Sequence, residues 1–283
     1  AAARPTQQAA GGVGARLSAA SNRVQGDTGS LAYWLKRIVV FPIGERWALI
    51  AVLAIFTDGR IALAAVVLFG LLAFAYTLAL RSLRSLSMRV GVLDTVDTLR
   101  HRDDGPVTRR LLSRAGLDAP LVLAAGGAIA SFALVAGLLT GWPEPPARVA
   151  VLLAGLLVLT AGLSARARHD GPLDWLVPAA LRAGEYGLVL AVGVSGDVPT
   201  PVTFLLLFAL ALRHYDLTAR MEKSAPDGGA PAARLGTDGR VILLVVAALA
   251  GQATLGVALL AGVTGGSFLV NAIADWRTGG TRP

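Results

Sequence analysis

The sequence predicts an all-α protein that crosses a membrane about eight times, and three observations support this class. Hydrophobic residues make up 54% of the 283 positions and charged residues only 16%, and the mean hydropathy is +0.63. The apolar residues form blocks close to the length of about 20 residues that a spanning helix needs. The arginines collect in alternate connections between these blocks. A soluble domain, whose surface must face water, would not carry this pattern.

The apolar blocks define the candidate spans in order. The first block, residues 38–56, is interrupted by Pro42, Gly44 and Glu45, so an interfacial helix at 33–41 followed by a short span is an alternative. The next candidates are 61–80, 121–142, 149–163, 173–194 and 202–219, with a turn at 143–146 between the third and fourth. Residues 241–275 can make two short crossings with a break near 262–266. If this last block is one bent helix, the protein has seven spans.

Charge predicts the orientation of the spans. One set of connections is strongly basic, and the opposite set contains only Arg60 and Arg148. Basic loops stay in the cytoplasm, so both chain ends and the connection 91–118 are predicted to be cytoplasmic, in a bacterial inner membrane whose lipids are the first partners. The basic connections contain Arg81, Arg84, Arg89, Arg100, Arg102, Arg109, Arg110, Arg114, Arg166, Arg168, Arg220, Lys223, Arg234 and Arg240. They form no single stripe with interleaved aromatics, which argues against nucleic-acid binding.

Composition also limits the chemistry and suggests the domain order. The chain has no cysteine, so thiol nucleophiles, disulfides and zinc–thiolate sites are excluded. The three histidines show no metal-ligand spacing. Residues 1–30, rich in Ala, Gln, Gly and Ser, are predicted to be a disordered linker, as expected for part of a longer polypeptide. A two-helix segment at 31–90, the basic connection at 91–118 and a six-helix membrane domain at 119–283 follow.

Two parts of the sequence resemble known families. Residues 31–85, and above all the stretch "FPIGERWALI", resemble the last two membrane helices of bacterial CDP-alcohol phosphotransferases. These enzymes join a CDP-activated lipid or polyol to an alcohol. From about Leu111 onward, "LDWLVPAALRAGEY", "RHYDLTAR" and "TDGR" resemble an uncharacterised membrane domain fused behind such enzymes in actinobacterial proteins.

The catalytic motif of the resembled enzymes is not complete in this chain. That family uses D-x-x-D-G-x-x-A-R followed by G-x-x-x-D-x-x-x-D, whose carboxylates hold a divalent metal. Here only Asp58-Gly59 matches the start, because Ile55 stands at the first aspartate and Leu63 at the arginine. Asp58-Gly59 is therefore interpreted as a turn between helices. The resemblance implies no catalytic residue, metal site or cofactor within this chain, and divalent metal only in an enzyme domain upstream of Ala1.

Ionisable residues within spans are costly and usually pair with one another or serve function. Two neighbouring predicted helices carry several of them, with spacings of three or four residues that place them on shared helix faces. One hypothesis is a pocket, open to the cytoplasm, for an anionic phosphate-containing ligand. The other is a structural ion-pair network between the two helices. The candidate residues are Arg182, Glu185, Tyr186, Arg213, His214, Asp216 and Arg220.

These observations lead to three hypotheses for function. The first is the C-terminal accessory membrane portion of a CDP-alcohol phosphotransferase-like protein that synthesises a lipid or polyol phosphate. It would partner the upstream catalytic domain or a second copy in a homodimer. The second is a transporter or flippase for an anionic lipid precursor, although the chain shows no internal repeat of the kind that transporters carry. The third is a structural membrane scaffold.

Overall fold

The structure, a computed structural model, describes residues 43–87, 102–141, 147–169, 171–222 and 231–279. These residues form helices and turns without any strand, which confirms the all-α class. The chain divides into two compact units, Ala1–Val90 and Gly91–Pro283. The predicted linker at 1–30, the interfacial helix at 33–41 and the turn at 143–146 lie outside the described residues.

The first unit contains a helical hairpin. Helix α1 spans Ile43–Phe56 and α2 spans Gly59–Ser87. Between them, Oδ1 of Asp58 accepts hydrogen bonds from the backbone N–H groups of Arg60 (2.8 Å) and Ile61 (2.9 Å). A carboxylate at this position satisfies two amides that the first helical turn leaves unpaired. Asp58 is thus the N-cap of α2, in the turn that the sequence indicated.

Within its described residues, the second unit contains a short helix followed by six longer ones. Here α3 spans Pro106–Arg110, α4 Pro120–Leu139, α5 Ala147–Thr160, α6 Val177–Ser195, α7 Thr200–Glu222, α8 Pro231–Leu249 and α9 Ala253–Gly279. Helices α4 and α6 pack closely because glycine faces the neighbouring helix, and a Cβ at Gly187 would lie 2.8 Å from Cβ of Ser131. Small residues at such contacts let membrane helices approach each other. The buried core lies among α5, α6, α8 and α9 and includes Val151, Leu188, Leu244 and Val257.

The end of α8 corrects the predicted break in the last apolar block. The chain turns at 250–252 rather than near 262–266, so the bent-helix alternative is wrong. Gly251 has a φ of 71°, a left-handed conformation that glycine adopts easily. The N–H of Gly251 bonds the carbonyl of Ala248, and the N–H of Gln252 bonds that of Ala247. This Schellman pattern ends the helix, and the residues at 262–266 continue inside α9.

The eight predicted spans correspond to α1, α2 and α4–α9. Among the described residues, six helical segments are long and apolar enough to cross a membrane, which makes the protein membrane-like. They are Gly59–Leu83, Pro120–Leu139, Ala147–Ser164, Asp174–Ser195, Thr200–Met221 and Ala253–Arg277. Within the described residues α1 has 14 residues, whereas the helical segment that begins with α5 continues through a 3-10 turn to Ser164. Helix α8 carries Arg234, Asp238 and Arg240 in its first half. Their length and charge explain why these two are the exceptions.

Candidate functional site: a buried ion-pair network

Glu185 lies in the middle of α6 and is almost completely buried, with 1% of its surface exposed. Its partner is Arg240 of α8. Nε of Arg240 donates to Oε1 of Glu185 at 2.5 Å, and Nη2 donates to Oε2 at 3.1 Å. A guanidinium matches the geometry of a carboxylate when it donates two such bonds. Glu185 therefore has a charged partner within the bundle, as a buried carboxylate needs.

Asp103 connects this pair to a third helix. It lies just before α3 with a φ of 54°, a left-handed conformation in which Asp is more often found than most residues. Its Oδ2 accepts a bond from Nη2 of Arg240 at 2.9 Å, and its Oδ1 accepts one from Nη2 of Arg213 on α7 at 2.9 Å. We call Asp103, Glu185, Arg213 and Arg240 the central network. Two carboxylates and two guanidiniums balance in charge and join α6, α7, α8 and the segment before α3.

The electrostatics of Asp103 reflect these partners. Burial alone would raise the pKa of its carboxyl group, because a charged form is poorly solvated in the interior. The positive charges of Arg240 and Arg213 outweigh burial and hold the pKa of Asp103 below its ordinary value. Asp103 is consequently ionised at neutral pH and remains an ion-pair partner for both arginines.

The remaining predicted residues on α6 and the neighbouring part of α7 lie beside the central network. The hydroxyl of Tyr186 and Nδ1 of His214 share a hydrogen bond of 2.7 Å. Nε2 of His214 lies 3.6 Å from Oε2 of Glu185. Arg182 donates to the hydroxyl of Thr218 at 3.3 Å, so Arg182 is not the hydrogen-bonding partner of Glu185. The structure thus brings five predicted residues to the α6–α7 contact: Arg182, Glu185, Tyr186, Arg213 and His214.

Asp216 and Arg220 belong to a different ion-pair group, which corrects the expectation of a single cluster. Nε of Arg220 donates to both carboxylate oxygens of Asp216, at 3.0 and 2.9 Å. Arg220 also pairs with Asp275 on α9. Because Arg220 lies one helical turn beyond Asp216, it can hold that carboxylate locally. This second group lies where α7 packs against α9, whereas Arg213 of the central network pairs with Asp103.

Segment 102–105 is held in place by further polar contacts. Arg102 donates from Nε to Asp104 at 2.9 Å and from Nη2 to the carbonyl of Ala161 at 2.7 Å. The N–H of Thr237 donates to the carbonyl of Asp103 at 2.8 Å. Next to it, the N–H of Thr108 donates to Oδ2 of Asp238 at 2.6 Å. Hydrogen bonds therefore hold this segment against α8 and the end of α5.

Burial shifts the pKa values of two titratable groups in this region. Burial raises the pKa of Asp104 to about 6, although the charge of Arg102 works in the opposite direction. Burial also lowers the pKa of His169, and Arg102 lowers it further, since Nη1 of that arginine lies 3.5 Å from Nε2 of the imidazole. Each group is shifted toward its neutral form, the direction that desolvation dictates.

Sequence reasoning missed five residues of this region. Arg102 and Arg240 were counted as basic loop residues, although both are buried. Asp103, Asp104 and Asp238 were not considered. One signal was present in the sequence, because "RDDGP" and "TDGR" each combine an arginine with an Asp-Gly step. Glycine permits close backbone approach, and Gly105 of the first motif lies against Gly236, the residue just before the second motif.

The arrangement favours charge compensation over metal binding. Within the described segments, no group of three or more His, Cys, Asp or Glu side chains is placed to hold a metal ion. The carboxylates of the central network face guanidiniums, which a divalent cation would have to displace. Two buried arginine atoms, Nε of Arg213 and Nη1 of Arg240, have no hydrogen-bond partner. Some capacity to bind an acceptor therefore remains.

Comparison with known proteins identifies the family but not an activity. The curated proteins and the solved structures contain no significant match to the chain. Residues 96–283 match the family model of DUF5941, which is described as a family of unknown function. This match includes the central network and all six long helices of the second unit. Because it covers more than half of the chain, the protein belongs to the DUF5941 family.

Proposed function

We propose that the DUF5941 part of this protein is a non-catalytic accessory membrane domain that accompanies CDP-alcohol phosphotransferase-like helices. The resemblance of "FPIGERWALI" and its surroundings to the end of that enzyme domain supports this pairing. The proposed setting is a bacterial inner membrane with both chain ends in the cytoplasm, as the basic connections favour. The proposed partners are membrane lipids and either a catalytic domain or a second copy of the chain.

The observation that carries this proposal is the charge compensation of the central network. Arg240 engages both Asp103 and Glu185, and Arg213 engages Asp103 a second time. A phosphotransferase would need carboxylate oxygens that are free to hold a divalent metal and the diphosphate bound to it. Carboxylates that are paired with arginines instead connect one helix to another. The network therefore supports a role in organising the membrane domain.

The first test is an activity measurement on the purified chain. Supplied with Mg²⁺ or Mn²⁺, CDP-diacylglycerol and candidate alcohols, residues 1–283 are expected to release no CMP above background, because the carboxylate set of the motif is incomplete. Asp58→Ala, which removes a helix cap, serves as the matched variant. CMP release that depends on metal and disappears in Asp58→Ala would show that Asp58 belongs to a working metal site.

A second candidate function, transport or flipping of an anionic lipid precursor, is favoured by a different observation. Nε of Arg213 and Nη1 of Arg240 are buried donors without a hydrogen-bond partner, and Nε2 of His214, 3.6 Å from Oε2 of Glu185, also makes no hydrogen bond. Buried polar atoms normally find a partner. A phosphate group could accept bonds from two arginines at once. Under this proposal the central network would loosen to admit the anion.

Ligand-induced stabilisation separates the two functions. A ligand that binds only the folded protein raises its melting temperature as concentration increases. Pyrophosphate is expected to produce no such rise beyond the effect of matched ionic strength if the network is structural. A saturable rise that Arg213→Gln abolishes, but that Arg110→Gln on the exposed face of α3 preserves, would favour transport over the accessory role.

A further inference from the structure

A small cavity lies between segment 102–105, the beginning of α8 and the end of α5. Its volume is about 20 Å³, and its polar lining includes Arg102, Asp104, Thr108 and Asp238. The remaining lining is mainly apolar. A space of this size holds about one water molecule, provided that several polar groups surround it. The cavity meets both conditions.

Asp238 is the unusual member of this lining. Only 3% of its surface is exposed, and Oδ2 accepts the N–H of Thr108. The other oxygen, Oδ1, is buried without a hydrogen-bond partner. Among the buried acidic residues of the described segments, Asp103, Asp104 and Glu185 each form an ion pair with an arginine. Asp238 forms no such pair within those segments.

The charges around Asp238 do not balance. Asp104 and Asp238 supply two negative charges to the cavity lining, and Arg102 supplies one positive charge. Arg109, an exposed residue of α3, also acts on the charge of Asp104, and Nε2 of His169 lies 3.5 Å from Nη1 of Arg102. Helices α5 and α6 contribute apolar side chains, such as Val158 and Leu181. An unbalanced negative charge in such surroundings is costly, and two carboxylates can relieve it by sharing a proton.

We propose that Asp104 and Asp238 form a buried proton-binding pair, joined by one water molecule in the cavity between them. The proton comes from solvent and adds to one carboxylate oxygen of the pair. The resulting carboxyl group donates through the water to the other carboxylate, and no other bond changes. The raised pKa of Asp104, caused first by burial and increased by the charge of Asp238, agrees with this geometry. The proton belongs to the pair as a whole.

The pair predicts a specific dependence of stability on pH. A carboxyl group in an unfolded chain has a pKa near 3.9, whereas that of Asp104 in the fold is about 6. The folded state therefore binds more protons than the unfolded state between about pH 4 and 6, and stability falls as pH rises through that window. Asp103, whose pKa is lowered, loses its stabilising contribution only at lower pH. The lowered pKa of His169 acts in the opposite direction, which makes comparison between variants necessary.

The test compares the double variant Asp104→Asn/Asp238→Asn with wild type in detergent. The variant removes the buried charges, so its melting temperature relative to wild type is expected to be higher by several degrees at pH 7.5 than at pH 5. The contribution of His169 to the pH dependence cancels in this comparison, because both proteins retain that residue. Asp118→Asn, at an exposed position just before α4, should show no such difference. An equal shift at both pH values would overturn the proposal.

Infrared spectroscopy provides a test that does not depend on the stability of the variants. Between pH 8 and 5.5, wild type is expected to gain the carbonyl band of a protonated carboxylic acid. The double variant should lack this band, and Asp118→Asn should keep it. Absence of the band in wild type would overturn the proposal. A rise in melting temperature that Na⁺ produces but choline at equal ionic strength does not, and that the double variant loses, would assign the cavity to a cation instead.

Discussion

Replacing Arg240 with methionine is expected to lower the free energy of unfolding of the second unit by about 3–5 kcal/mol. This is the usual cost of removing one partner from a buried ion pair. The substitution leaves Glu185 without an arginine and Asp103 with only Arg213. For a unit of this size the melting temperature should fall by about 10 °C. Thermal unfolding of the purified protein in detergent measures the effect.

Two further variants test whether this loss of stability is specific to the central network. Arg110→Met replaces an exposed arginine of α3 and should change the unfolding free energy by no more than about 0.5 kcal/mol. Adding Glu185→Gln to Arg240→Met should restore part of the lost stability, because the unpaired charge is then removed. Arg182, although on the same helix as Glu185, is not the compensating residue, because it bonds Thr218. If Arg240→Met behaved like Arg110→Met, the ion pairs would not contribute to stability.

Replacing Gly105 with alanine is expected to destabilise the same unit by at least about 3 kcal/mol, the upper part of the range for overpacking. A Cβ at this position would overlap Oδ1 of Asp238 and the backbone carbonyl of Leu235. Unlike the tip of a side chain, a backbone oxygen cannot rotate away. Segment 102–105 would therefore have to move away from α8, taking Asp103 out of the central network.

Hydrogen exchange can locate the effect of Gly105→Ala. The N–H of Thr237 is bonded to the carbonyl of Asp103, so it should exchange faster when segment 102–105 is displaced. Gly126→Ala is the control, because a Cβ there meets no atom within 4 Å and alanine favours a helix by up to about 1 kcal/mol over glycine. Unchanged exchange at Thr237 in Gly105→Ala would mean that the segment accommodates the methyl group without moving.

Sequence reasoning predicted the features whose determining residues lie close together along the chain. Spans are local, since apolar length and flanking charge define them. The cap at Asp58 and the Asp216–Arg220 pair are also local, with partners no more than four residues away. The break at 250–252 is local too, but it depends on the left-handed conformation of a single glycine among several in that block. Glycine content alone did not distinguish Gly251 from its neighbours.

The sequence alone was therefore enough to predict an all-α, membrane-like chain with intramembrane charges on α6 and α7. Only the tertiary structure decided which charges meet. The partner of Glu185 lies 55 residues away, and the partners of Asp103 lie 110 and 137 residues away. Helical periodicity specifies the face on which a residue lies, but many arginines could compensate a given carboxylate. The choice depends on the close backbone contact between Gly105 and Gly236, at the point where the non-helical conformation of Gly236 kinks the start of α8. That contact brings Asp103 to Arg213 and Arg240.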